Sequence, residues 1–116
     1  MPNRDLDALQ DILVAARLIQ KFVTEITKES FLDDDLRYSA VIRHIEVIGE
    51  AAKRVSSEFK AQYPKIKWRS MIGMRNILIH AYDEVDLEEV WETAVVSIPE
   101  LMVNVLGILS HYESLD

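Results

Sequence analysis

The chain has 116 residues, of which 49% are hydrophobic, and a formal net charge of −7. This length is that of one typical domain and the apolar content can fill a buried core, so we expect a single domain over residues 1–116. The sequence contains no cysteine, which excludes disulfide bonds and thiolate chemistry.

The sequence shows no pattern of a targeting or membrane segment. Its first residues, MPNRDLDALQD, are acidic, whereas a secretory leader is basic and then apolar. Residues 101–111 carry no Asp, Glu, Lys or Arg, but this stretch is too short to span a bilayer. We therefore expect a soluble, cytoplasmic protein without a membrane partner.

Apolar residues recur every three or four positions, a spacing that predicts amphipathic helices. Such stripes run through residues 9–26, 38–59 and 87–112, and a shorter helix is expected over about residues 67–81, after the turn at Pro64. No segment alternates between apolar and polar residues over the length of a strand. The sequence therefore predicts an all-α, up-down bundle of four or five helices.

Several residues predict where the helices begin and end. Residues 29–35 should end the first helix, and the aspartates at positions 33–35 suit the positive end of the second. Asp86 and Glu89 have the spacing of a capping box, so a helix should begin at Asp86. Pro99 lies inside the last apolar stripe and should either kink that helix or begin a fifth one.

The charges are distributed unevenly along the chain. Residues 53–75 carry seven basic side chains and one acidic, whereas residues 76–116 carry nine acidic side chains and no basic one. A basic stripe of this kind can bind a phosphate backbone. Pairing of the same residues with acidic side chains of this chain is an equally good interpretation.

The segment GMRNILIHAY, residues 73–82, places polar side chains in an otherwise apolar helical run. Arg75 offers a planar cation that suits phosphate oxygens, and a histidine such as His80 can accept and return a proton near neutral pH. Asn76 and Tyr82 can each orient a phosphate or a ribose. On an ideal helix the four side chains occupy adjacent rows. His80 could equally be a structural histidine whose hydrogen bonds are satisfied.

This set of residues suits cleavage of a phosphodiester by the neighbouring ribose 2′-hydroxyl, which needs an anion-binding group and proton transfer but no metal. DNA lacks that hydroxyl, so the inferred substrate is RNA. One histidine cannot easily take one proton and give another at the same moment, so we expect a symmetric homodimer with two copies of the segment at one cleft. The candidate RNA-binding residues are Lys53, Arg54, Lys65, Lys67 and Arg69.

The other candidate sites are weaker. No histidine has a glutamate three residues before it, as the carboxylate metal sites of helical bundles require, so we predict no metal and no cofactor. His44 and His111 are interpreted as packing or surface residues.

Four segments, in order along the chain, resemble the HepT-like family of HEPN-domain toxins. They are RDLDALQDIL, IEVIGEAAKRVS, YPKIKWRSMIGMRNILIHAY and VDLEEVW. The signature of that family is an arginine, four to six residues, a histidine, one residue and a tyrosine, and it is matched by Arg75, His80 and Tyr82. Asn76 fits the polar residue that commonly follows the arginine. Ala81 stands where relatives often have glycine.

The resemblance implies an all-helical homodimer with a metal-independent endoribonuclease cleft at the dimer axis, in which Arg75 and His80 are catalytic. It also implies the toxin of a type VII-like toxin–antitoxin pair, whose partner is a nucleotidyltransferase antitoxin of the MntA type. That partner would transfer AMP onto Tyr82 and silence the site. Two other functions stay open: a non-catalytic HEPN subunit that binds RNA or the nucleotidyltransferase, and a nucleotide-binding subunit that completes a transferase site.

Overall fold

The computed structural model describes residues 3–114 as a set of packed helices. The α-helices are α1 (Asn3–Val23), α2 (Lys28–Leu32), α3 (Asp35–Arg54), α4 (Ser57–Gln62), α5 (Trp68–His80), α6 (Leu87–Glu92) and α7 (Ile98–Glu113). A 3-10 turn, Tyr82–Glu84, follows α5, and a π-helical turn, Thr93–Ser97, joins α6 to α7. No strand occurs in the described range, and the predicted all-α bundle is confirmed.

The core lies between α1, α3 and the C-terminal helix. Helix α1 packs against α3 and α7, and α3 packs on its other side against α5. The largest fully buried side chains come from these elements and from α2: Leu9, Ile12, Ile19, Phe31, Val41, Ile48, Val90 and Val105. Helix α5 contributes only Trp68 and Leu78 as buried residues. It therefore lies at the edge of the bundle, supported mainly by α3.

Two predicted helix starts are confirmed by their caps. The Asp34 Oδ1 accepts a hydrogen bond from the Arg37 backbone N–H at 3.0 Å, so α3 begins at Asp35, the last of the predicted aspartates. This hydrogen bond lowers the pKa of Asp34. Asp86 caps α6 in the same way, because its side chain accepts hydrogen bonds from the backbone N–H groups of Glu88 and Glu89.

The structure contains two short helices, α2 and α4, that the sequence did not predict. Helix α1 ends at Val23, before the stop predicted at residues 29–35, and the short helix α2 (Lys28–Leu32), which Thr27 caps, overlaps that stretch. The second predicted stripe is also divided, because α3 ends at Arg54 and Phe59 belongs to α4, which Ser56 caps. Apolar spacing continues through both breaks since each short helix also buries one aromatic side chain, so periodicity alone could not show them.

The last helix continues through Pro99. Helix α6, the π turn and α7 form one continuous helix, Leu87–Glu113. In the π turn the Ile98 N–H donates to the Thr93 carbonyl, five residues earlier. Proline has no N–H and its ring crowds the carbonyl four residues before it. The wider π turn directly before Pro99 makes room for that ring, so Pro99 does not begin a separate fifth helix, and the predicted kink of one long helix stays a prediction.

The same continuous helix is long and apolar enough to cross a membrane, which the prediction from residues 101–111 did not consider. One face of it, which includes Val90, Ala94 and Val105, is buried in the core. The core helix of a soluble bundle has the same length and composition, so this feature is weak evidence for a membrane span. The opposite face leaves Val96 and Val103 exposed.

Asp5 joins the start of α1 to the junction between α3 and α4. It is the only buried charged residue among residues 3–114, with 7% of its surface exposed. Its Oδ1 accepts a hydrogen bond from the Ser56 backbone N–H at 2.7 Å, and its Oδ2 accepts one from the Ser56 hydroxyl at 2.8 Å. Nearby, Arg54 forms an ion pair with Asp11 at 2.6 Å. The C-terminal end of α3 is therefore held to α1.

Asp5→Ala should lower the free energy of unfolding by about 2 kcal/mol, because it removes two hydrogen bonds to a charged acceptor. Urea denaturation followed by circular dichroism measures this change. Asp7→Ala is the matched control, since Asp7 is exposed two residues later in α1; its effect should stay within about 0.5 kcal/mol. Equal effects of the two substitutions would show that the Asp5–Ser56 contact does not stabilise the fold.

Candidate active site

The side chain of Arg75 leaves α5 on the side that faces α3. Gly49 of α3 lies against its stem, so closely that a Cβ atom at position 49 would overlap the Arg75 Cβ and lie 3.0 Å from its Cγ. The Arg75 Nε is buried and has no hydrogen-bond partner within residues 3–114. Buried donors without a partner are rare in folded proteins, and a catalytic role is one of the established reasons for them.

The side chain of Asn76 is hydrogen-bonded to that of Arg75 and faces outward. The Arg75 Nη1 donates a hydrogen bond to the Asn76 Oδ1 at 3.1 Å. A guanidinium group can only donate, so the amide oxygen is the accepting atom and the amide nitrogen of Asn76 is left with two donors. Asn76 is exposed on the surface of α5. The two residues together therefore form a group of donors suited to an anion such as a phosphate.

His80 is the last residue of α5 and is exposed. It lies one turn beyond Asn76 on the same side of the helix. His80 lies five positions after Arg75, so the Cα–Cβ bonds of the two residues leave an ideal helix about 140° apart. The stem of Arg75 faces α3, whereas its Nη1 reaches the Asn76 side chain on the outward side of α5 that also carries His80.

Tyr82 lies outside α5. The helix ends at His80, Ala81 has the non-helical φ of −136° and ψ of 45°, and Tyr82 begins the 3-10 turn. The expected alignment of Arg75 with Tyr82 on one helix row is therefore wrong, because the helix ends before Tyr82. The tyrosine is 54% exposed. Its hydroxyl group is thus accessible to another macromolecule.

The five candidate RNA-binding residues lie at one end of the α3–α5 pair. Two are at the end of α3, two are in the loop that follows α4, and one is in the first turn of α5: Lys53, Arg54, Lys65, Lys67 and Arg69. All are exposed. Arg54 is bound to Asp11 of α1, so the interpretation as an intramolecular ion pair holds for this residue. In the described part of the chain, none of the other four forms a salt bridge.

A groove of about 430 Å³ separates α5 from the C-terminal helix. Its walls are mainly apolar, with Met74 and Ile77 on the α5 side and Leu101 on the other. The Thr93 hydroxyl lies 3.6 Å from the Met74 sulfur across the groove. Ile77 is 51% exposed. One flank of α5, the helix that carries Arg75 and His80, is therefore left uncovered in the single chain.

The other histidines have the packing and surface roles that were predicted. The His44 Nδ1 is 2.7 Å from the Ala40 carbonyl oxygen, and its ring lies 6.0 Å from that of Phe22. His111 is exposed near the end of α7, with its ring beside Tyr112. Residues 3–114 contain no group of three or more His, Asp or Glu side chains that could hold a metal ion. Metal-independent chemistry stays a prediction.

Gly49 was missed as a residue of this region. The signal in the sequence is a glycine inside an otherwise regular helical stripe, IEVIGEAAK, where alanine would stabilise the helix more. The sequence alone does not show which helix such a glycine contacts.

Comparison with known proteins identifies the family. The model of the family described as ribonuclease HepT-like matches residues 12–106. A Thermococcus cleftensis protein named "Probable ribonuclease HepT" is 47% identical over 101 residues, which cover 87% of this chain and 92% of the relative. A Methanocaldococcus jannaschii protein named as an RNase is 39% identical over 117 residues, or 100% of this chain and 97% of the relative. No solved structure gives a significant match. The chain belongs to the HepT-like ribonuclease family, as its resemblance indicated.

Proposed function

We propose that the chain is a cytoplasmic, metal-independent endoribonuclease in which Arg75 and His80 cleave RNA. The observation that carries this proposal is the buried, unpartnered Nε of Arg75 next to the outward-facing Asn76, on the helix that ends at His80. A structural arginine would have its donors satisfied within the chain. The membership of the chain in a family described as ribonuclease HepT-like supports the same activity.

The chemistry follows from the donors and the exposed imidazole. Arg75 and Asn76 bind the oxygens of the scissile phosphate and stabilise the charge that develops on them. His80 takes the proton of the ribose 2′-hydroxyl, the 2′-oxygen forms a bond to phosphorus, and the bond from phosphorus to the 5′-oxygen breaks. The products are a 2′,3′-cyclic phosphate and a 5′-hydroxyl, and the leaving oxygen needs a proton from a second acid.

A homodimer would supply that second acid. Within one chain, a single His80 cannot accept the proton of the 2′-hydroxyl and donate another at the same moment. A second copy, packed along the uncovered flank of α5, would bring its own His80, as the imidazolium, to the same phosphate, where it gives its proton to the leaving 5′-oxygen. The exposed Ile77, beside Met74, gives that flank an apolar surface to bury. The four unpaired basic residues at the end of the α3–α5 pair would hold the flanking RNA.

We further propose that the chain is the toxin of a toxin–antitoxin pair and that an MntA-type nucleotidyltransferase neutralises it by adenylylating Tyr82. The support is the exposure of Tyr82 in a turn directly after α5, where a second protein can reach its hydroxyl. An AMP group there would add a phosphodiester and a base two residues from His80. It would occupy the space of the RNA and offer Arg75 an anion within the protein.

His80→Ala should reduce RNA cleavage about 10²- to 10⁴-fold, because it removes the proton-transfer group. Cleavage of a labelled single-stranded RNA in the presence of EDTA measures the rate, and the appearance of 2′,3′-cyclic phosphate ends tests the route. His111→Ala is the matched control and should cleave at the parental rate. If the His80 variant cleaves as fast as the parent, or if the parent binds RNA without cleaving it, the non-catalytic RNA-binding subunit is the better description.

Ile77→Glu should convert a dimer to a monomer, since it places a charge on the apolar flank of α5 that a second copy would bury. The molecular mass in solution, measured by light scattering at micromolar concentration, reports this change. Val14→Glu makes the same substitution at an exposed position of α1, 56% exposed, and should leave the mass unchanged. A parental chain that is monomeric and active would exclude the dimeric site.

Tyr82→Phe should prevent modification by the nucleotidyltransferase. Incubation with an MntA-type enzyme and ATP should add AMP to the parental chain and suppress its cleavage of RNA. The Tyr82→Phe variant should show no added mass, and its own cleavage rate should be the same with and without the partner. Tyr63→Phe serves as the control and should be modified like the parent. Loss of activity of the Tyr82 variant on addition of the partner and ATP would contradict adenylylation as the neutralising step.

A further inference from the structure

Gly49 lies in the middle of α3, and the proposed chemistry does not use it. It is buried and faces α5 at the turn from Met71 to Arg75. A methyl group at this position would overlap the Arg75 Cβ and would come within 2.7 Å of the Met71 carbonyl oxygen. Because non-bonded carbon atoms do not approach each other so closely, α3 and α5 can pack in this way only with glycine at position 49.

The backbone of Gly49 gives no other reason for glycine. No described glycine has a positive φ, so alanine could adopt the same backbone conformation. Alanine would also stabilise the helix, since glycine loses more conformational freedom when a helix forms. The close approach of α5 is therefore the feature that glycine permits at this position.

A Cβ atom at position 49 would contact the side chain of Arg75 as well as the backbone of α5. The two atoms touched are Cβ and Cγ, and the torsion between them sets the direction in which the guanidinium group points. Asn76 and His80 lie on the outward side of α5 and are exposed. A side chain at position 49 would consequently push α5 away from α3 at the turn that carries Arg75, because the Arg75 Cβ and the Met71 carbonyl oxygen move only with the helix backbone.

We infer that Gly49 is a positioning residue for Arg75. Because glycine has only a hydrogen atom where other residues have a side chain, the arginine stem lies against α3 and its guanidinium group points toward the phosphate. This inference rests on the proposed role of Arg75 in RNA cleavage. It adds a residue from a different helix, 26 positions earlier in the chain, to the determinants of that role.

The chain offers a matched control for this inference. A Cβ atom at Gly107 of α7 would meet no atom within 4 Å, so Gly107→Ala changes a helical glycine without a new contact. Cleavage at saturating RNA should fall at least tenfold in Gly49→Ala and stay at the parental rate in Gly107→Ala. Circular dichroism and mass in solution should be the same for both variants. Arg75→Ala provides the reference for complete loss of the arginine.

A second measurement separates positioning from a general structural effect. In a His80→Ala background, which prevents cleavage, the affinity for a single-stranded RNA is measured over a range of salt concentrations. Loss of one phosphate contact should reduce the slope of log affinity against log salt by about 0.7. Gly49→Ala should reduce the slope as Arg75→Ala does, and combining the two should give no further reduction. A purely structural glycine would not show this dependence on Arg75.

The outcomes are distinguishable. If Arg75→Ala is inactive but Gly49→Ala cleaves at the parental rate with the parental salt slope, the inference is wrong and the proposed ribonuclease stands. If the parental chain does not cleave RNA, the proposed function itself fails. If Gly49→Ala does not fold, the same substitution is made together with Arg75→Gly, which removes the overlapping Cβ. Recovery of the fold shows that the Arg75 stem occupies the space that glycine leaves and supports the inference. Failure to fold in both backgrounds shows that the Met71 backbone, rather than the arginine, excludes a side chain at position 49, and overturns the inference.

Discussion

The closeness of α3 and α5 at Gly49 is the constraint on which the rest of the site depends. Helix α5 buries Trp68 and Leu78, and its Met71, Ile72 and Met74 pack partly buried against the core. The missing side chain at position 49 lets the Arg75 stem lie directly on the α3 backbone. A larger separation of these helices would leave the guanidinium group free in solvent, where its donors would bind water.

The edge position of α5 explains how one helix can be both rigid and accessible. Groups that must keep a fixed geometry are best placed on regular elements supported by packing. Arg75 and Asn76 satisfy this condition because α3 supports them from behind, whereas their outer side and the groove beside Ile77 are open. A helix inside the bundle would be equally rigid but closed to RNA, and a loop would be open but less precise. Tyr82, in the turn after α5, is 54% exposed and so has the accessibility that the proposed modification requires.

The charges along the chain favour RNA binding at one end of the α3–α5 pair. The unpaired basic residues lie at the end of the α3–α5 pair near the start of α5, whereas no basic residue follows Arg75 in the sequence. A single strand of RNA would be attracted to the basic end and repelled by the acidic segment 76–116. The net charge of −7 does not prevent binding, because phosphate contacts respond to local charge within about 10 Å at moderate salt. Because Arg54 pairs with Asp11, the basic residues left to bind RNA are the four that form no salt bridge: Lys53, Lys65, Lys67 and Arg69.

Sequence patterns recovered what depends on neighbouring residues and missed what depends on distant ones. Helical periodicity and the caps at Asp34 and Asp86 are local, and the structure confirms them. The division at Phe59 and the π turn before Pro99 were missed or only partly anticipated, because packing against other helices decides whether a stripe stays in one helix. The motif likewise identifies the residue types at positions 75–82 from their spacing alone. The motif cannot show that Arg75 faces α3, because that orientation requires a glycine on another helix. A glycine inside a helical stripe has the same local sequence pattern in both situations. Gly107 faces solvent, whereas Gly49 faces Arg75.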